Sequence, residues 1–152
     1  MTLRFFALLL AWGLIAAPPA AAGLAIQQDE TAQAGISKAI GFYFQGHATG
    51  DPAHFRKAFL STAHIEGIRN GVFTSWTVDA YCALFKGTPA SDEATRKRTI
   101  DVIDVSGNSA MAKATLDHGA TIFTDYFVLL KVDGAWRIAN KVYFGQPRGA
   151  RG

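Results

Sequence analysis

The sequence predicts an α+β domain in which about three helices precede a curved, mostly antiparallel sheet. Three observations carry this. Apolar residues at helical spacing are confined to the part before Gly87, the segments after Lys97 read as strands, and Asn70-Gly71 and Asp133-Gly134 mark tight hairpin turns.

The elements follow in order. Ala32, Ile36, Ile40, Tyr43 and Phe44 fall near one helical face, with Gly46 available to end that helix. Asp51 caps a second helix and Pro52 sits in its first turn, where a missing N–H costs nothing; Phe55, Ala58 and Phe59 form its buried side. Short strands over 64–68 and 72–76 flank Asn70-Gly71. Val78, Tyr81, Cys82 and Phe85 give a third helix stopped by Gly87-Thr88-Pro89, and 88–93 is a polar loop. Ile100, Val102, Ile103 and Val105 break strict alternation once, which predicts a bulge or a strand buried on both faces. Ala110, Ala112, Ala114 and Leu116 line one face of the next strand, leaving room above for a helix or a ligand. His118-Gly119 then turns the chain into the final hairpin.

A two-residue turn at Asp133-Gly134 sets the register of that hairpin. It puts Asp125, Phe127, Leu129, Trp136, Ile138, Asn140, Val142 and Phe144 on an inner face. Tyr126, Lys141 and Tyr143 then belong to the outer face, whose mixed character suits a moderately polar subunit interface or a solvated surface.

The first residues read as a secretory signal peptide. Arg4 gives a positive start, 5–17 form an apolar run, Pro18-Pro19 break it, and three alanines precede Gly23. The alternative, an uncleaved anchor, needs roughly 20 apolar residues and the run is shorter. The expected organisation is therefore a signal peptide over 1–22, one domain over 23–146 and a flexible tail over 147–152, in a periplasmic or secreted protein with no stable membrane anchor after cleavage. Net charge is +3, too small an excess to argue for nucleic acid. Cys82 is the single cysteine, so no intrachain disulfide forms, and its apolar helix face favours packing over a reactive thiol.

The chain resembles the nuclear transport factor 2-like superfamily of cone-shaped α+β domains, and within it the putative lumazine-binding family. The resemblance rests on Ala39 to Tyr43 before Gly50-Asp51, on Phe59 to His64, on Ile103 to Gly107 with Ala110 and Ala112, and on Asp125-Tyr126 through Asn140 to Tyr143. It implies an open pocket between the concave sheet and the helices, and a homodimer through the other face of the sheet. It implies no single activity, since the superfamily holds isomerases, dehydratases and proteins without chemistry.

Asp125 is the principal candidate. A carboxylate among Phe127, Leu129 and Ile138 is desolvated and suits a general base; alternatively it is tied to backbone amides or to Asn140. Asp125 and Asn140 together offer an acceptor and a donor to the edge of a heterocycle. Tyr43, Trp76 and Trp136 supply aromatic walls, or simply core, and Phe127 joins Asp125 on the inner face as a candidate ligand contact. His64 has the character for proton transfer, and the resemblance places its strand beside the pocket. His47, His54 and His118 have no metal spacing, so no metal and no cofactor is expected. The reading is a small-molecule-binding protein for a hydrophobic or heteroaromatic ligand rather than an enzyme. The alternative is a cofactor-independent isomerase or dehydratase using Asp125 or His64.

Overall fold

The computed structural model describes residues 19–69 and 71–149. Helix α1 spans Pro19–Thr49, α2 Pro52–Ala58 and α3 Val78–Cys82, with a 3-10 turn at Glu93–Thr95. Strands β1 His64–Arg69, β2 Val72–Thr77, β3 Lys97–Ser106, β4 Ser109–Asp117, β5 Thr121–Val132 and β6 Ala135–Pro147 form one curved sheet in the order β2-β1-β6-β5-β4-β3. Among the described strands only β1 and β6 pair in parallel, which the long connection between them allows. The helices cover one face, as expected of an α+β domain.

Local chemistry accounts for the elements. Asp51 accepts a hydrogen bond from the Ala53 amide at 2.8 Å and caps α2, with Pro52 in its first turn. Gly46 does not end α1, which runs on to Thr49. A Cβ at Gly46 would sit 2.5 Å from the Phe55 ring, so this glycine lets α2 pack closely on α1. Gly35 does the same for Trp136, and the chain leaves the helix at Gly50, which has a positive φ of 68°. Helix α3 is shorter than its apolar spacing predicts, ending at Cys82.

Ile36, Ile40 and Tyr43 of α1 are buried against the inner face of the sheet. That face carries Ala112, Ala114, Leu116, Phe127, Leu129 and Ile138. Helix α1 lies against β3 and β6. The irregularity expected in β3 is a bulge between Ile100 and Val102.

The final hairpin departs from its expected register. Asp133 and Gly134 both have positive φ, 50° and 79°, as a type I′ turn demands, and Leu130↔Arg137 and Leu129↔Ile138 pair as the turn dictates. A bulge then shifts the register: Val128 pairs with Asn140, Phe127 with Lys141, and Asp125 with Tyr143. Ala139 is the extra residue. Beyond it every assignment on β6 changes face. Lys141 and Tyr143 point inward, whereas Asn140 leaves the inner face, and Val142 and Phe144 are 46% and 59% exposed.

The predicted signal peptide lies mostly outside the described residues, and α1 already includes 19–22. The tail expected from Pro147 is anchored at its start. Strand β6 continues through Pro147, and Arg148 pairs with Asp117 at 2.6 Å and donates its amide to the Ala120 carbonyl.

Candidate functional site

The open end of the cone holds a cavity of about 400 Å³ between α1, α3 and the inner face of the sheet. On its wall α1 brings Tyr43, one turn beyond Ile40, β5 brings Asp125 and β6 brings Lys141. All three are buried. The Tyr43 hydroxyl donates to Asp125 Oδ2 at 2.6 Å, and Lys141 Nζ donates to the Tyr43 oxygen at 2.7 Å while lying 3.0 Å from Asp125 Oδ2. Asp125 Oδ1 is buried and has no hydrogen-bond partner among the described residues.

Electrostatics follow from burial. Desolvation first, and the Asp125 charge second, push the Tyr43 hydroxyl well above the usual phenol range, so it stays protonated and donates. Burial also draws the Lys141 ammonium below its usual value, against the opposing pull of Asp125. The Tyr143 ring, its centroid 5.0 Å from Nζ, offers the cation its face. Two of the three ammonium hydrogens are accounted for by Tyr43 and Asp125, which leaves one donor.

The surroundings hold these groups in place. Phe127 and Phe59 meet the Tyr43 ring edge-on at 5.3 and 5.9 Å. Trp76 stacks on Tyr143 at 6.2 Å and 16°, while Thr74 Oγ1 lies 3.0 Å from the Tyr143 hydroxyl. Gly67 makes this possible, because a Cβ there would come within 2.6 Å of the Tyr143 ring. At the other side of the cavity the Tyr81 hydroxyl lies 3.0 Å from His47 Nε2, and the His118 ring is 5.2 Å from that of His47. Burial and then the Lys141 charge keep His47 well below the usual histidine range. Burial and the Arg96 and Arg98 charges bring His118 down to about 4, so both rings are neutral at pH 7.

Of the residues predicted from sequence, Asp125, Tyr43 and Trp76 meet at the cavity. Phe127 stands behind Tyr43 as support. Asn140 does not join Asp125, because the bulge at Ala139 turns it away; its Oδ1 accepts from the His64 amide at 3.1 Å and its Nδ2 donates to Glu66 at 3.2 Å. His64 is exposed on β1 and does not line the cavity. Lys141, Tyr143, His47 and His118 are cavity residues that periodicity does not reveal. For Lys141 no sequence signal was available, since only the bulge at Ala139 turns it inward. Among the described residues no group of His, Cys, Asp and Glu could hold a metal.

Comparison with known proteins agrees with this architecture. The family model described as "Putative lumazine-binding" matches residues 31–144. A nuclear transport factor 2-like protein of unknown function from Shewanella baltica is 28% identical, with a TM-score of 0.69 over 77% of this chain and 95% of its own. Another, from Silicibacter pomeroyi, is 24% identical with a TM-score of 0.71 over 78% and 98% of the two chains. A curated relative, "Aldolase FrzH" of Cladobotryum sp., is 23% identical over 108 residues, 70% of this chain and 85% of that protein. Helices over the inner face of a curved six-stranded sheet, joined to a match across most of the chain, settle the family: this protein belongs to the putative lumazine-binding family of the nuclear transport factor 2-like superfamily.

Proposed function

We propose that the cavity binds a small, largely apolar molecule, flat and heteroaromatic or bearing a carbonyl, by one acceptor and one donor at its wall. The observation that carries this is the unpartnered Asp125 Oδ1 beside the remaining donor of Lys141. A buried carboxylate oxygen without a partner is costly, and a ligand N–H or O–H placed there removes that cost. Trp76 and Tyr143 supply the aromatic wall. The family description supports a heteroaromatic ligand.

The test is thermal denaturation with lumazine and related bicyclic heterocycles, alongside native mass spectrometry for retained ligand. Ligand at 100 times its Kd stabilises by about 2.7 kcal/mol, and Asp125→Asn should weaken that binding at least tenfold. A family of such heterocycles that neither shifts Tm nor is retained would count against the pocket.

A second reading is proton transfer next to a carbonyl, favoured by the aldolase label of the Cladobotryum relative. Asp125 Oδ1 would take the proton on carbon, and the oxygen that gains charge would face Lys141. His64, exposed and away from the cavity, does not support the isomerase or dehydratase alternative. Exchange of carbonyl α-hydrogens in D2O, followed by NMR and abolished by Asp125→Asn, separates turnover from binding.

The apolar run over 5–17 before Pro18-Pro19 supports an exported protein, testable by fractionation of cells expressing the full chain. The exposed outer sheet face, with Tyr126, Val128, Val142 and Phe144, supports a homodimer.

A further inference from the structure

An ammonium group ordinarily keeps its head in water at the end of a flexible stem. Lys141 does not. Its side chain is 4% exposed, yet it lines the cavity, and no other lysine among the described residues does so. Its amine is fixed from three sides: the Tyr43 hydroxyl at 2.7 Å, Asp125 Oδ2 at 3.0 Å, and the Tyr143 ring at 5.0 Å. A purely structural ion pair has no need of an opening beside the amine, or of a spare carboxylate oxygen next to it.

We propose that Lys141 is a carbonyl-capturing nucleophile: its Nζ condenses with an aldehyde or ketone group of the molecule held in the cavity, giving a protonated imine paired with Asp125. This rests on the cavity being a ligand site, and adds to it the substrate class and the bond that forms. The ammonium first passes a proton to Asp125 Oδ2, which freezes no new geometry because the two are already 3.0 Å apart. The freed lone pair attacks the carbonyl carbon; the C–N bond forms as the C=O pair moves onto oxygen. A proton moves from nitrogen to that oxygen, giving a neutral carbinolamine. Asp125 then protonates the hydroxyl, the C–O bond breaks, and water leaves. The sum is one ammonium and one carbonyl converted into one iminium and one water, with Asp125 returned to its carboxylate. No oxidant, reductant or cofactor enters.

The surroundings serve each step. Desolvation favours the neutral amine that must attack, and the Tyr43 hydroxyl, donating to Asp125 Oδ2, holds that carboxylate beside Nζ to take the proton. The iminium inherits the carboxylate and the Tyr143 ring face that hold the ammonium.

Benzaldehyde, a flat aromatic aldehyde, is the probe. The full-length protein is treated with benzaldehyde and sodium cyanoborohydride at pH 7 for short times, digested, and mapped by mass spectrometry. The expected result is a benzyl group on Lys141 before any exposed lysine, at least about tenfold faster than on Lys131, because the cavity holds the carbonyl beside Nζ. Lys141→Arg keeps the cation but has no usable nucleophile, and should lose this early label. Labelling only of exposed lysines, or none, in the native protein overturns the proposal, and needs no variant to fold. A parallel titration with benzyl alcohol, which has the ring but no carbonyl, tells the two failures apart. Benzyl alcohol held in the cavity with Lys141 unlabelled leaves the binding site standing and removes the imine.

Discussion

Replacing Lys141 by methionine removes one charge from an ion pair whose members are 4% and 1% exposed and 3.0 Å apart. Methionine nearly matches the lysine stem in volume, so little packing is lost and the change isolates the charge. At an effective dielectric of about 20, the attraction at this distance is roughly 5 kcal/mol, and removing one partner of a buried pair costs about 3–5 kcal/mol. Tyr43 still donates to Asp125 Oδ2, so the lower end, about 3 kcal/mol, is expected. Urea unfolding should show a lower midpoint at unchanged m-value, with Tm down by roughly 10 °C for a domain of this size. The triple variant Tyr43→Phe, Asp125→Val, Lys141→Met leaves no unpartnered polar group and should return to within about 1 kcal/mol of the native protein. A single variant losing under about 1 kcal/mol, or a triple variant no more stable than the single, would refute the view that these groups form one buried unit.

Gly67→Ala places a Cβ 2.6 Å from the Tyr143 ring and 2.8 Å from the Tyr143 carbonyl oxygen, and should cost about 1–3 kcal/mol and weaken ligand binding as the ring is pushed into the cavity. Both cavity histidines hold protons less tightly folded than unfolded, so stability should fall as pH drops below about 6.5, and for His118 the fall should continue to about 4. His118→Gln should flatten that fall between pH 6.5 and 4 in urea titrations, whereas an unchanged slope would show that the ring is not held neutral. Sedimentation equilibrium should find a dimer, and Val128→Glu with Val142→Glu, charges set on an exposed apolar face, should shift it to monomer with Tm changed by only a few degrees.

The outline of the fold was legible because its signals are local. Asp51-Pro52 starts a helix, Asp133-Gly134 adopts the two positive φ values of its turn, and the broken alternation after Ile100 is a bulge. None of these needs a distant partner. Gly46 was misread for the opposite reason: a glycine in a helix is the same letter whether it ends the helix or admits a ring, and Phe55 decided the matter.

Asp125 was readable as a carboxylate on an apolar face, since the Asp133-Gly134 turn fixes the position of each β5 residue. Its partners were not. The outer face of β6 is apolar too, so Val142 and Phe144 imitate the inner-face pattern begun by Trp136 and Ile138, and alternation alone cannot report that the phase has changed. The sequence by itself determined the order of elements, the hairpin turns and a pocket carboxylate, all fixed by backbone preference and nearby spacing. Only the tertiary structure decided what that carboxylate does, because one extra residue at Ala139 turns Lys141 inward, and a tyrosine 82 residues upstream in sequence meets Asp125 only when α1 packs across the sheet.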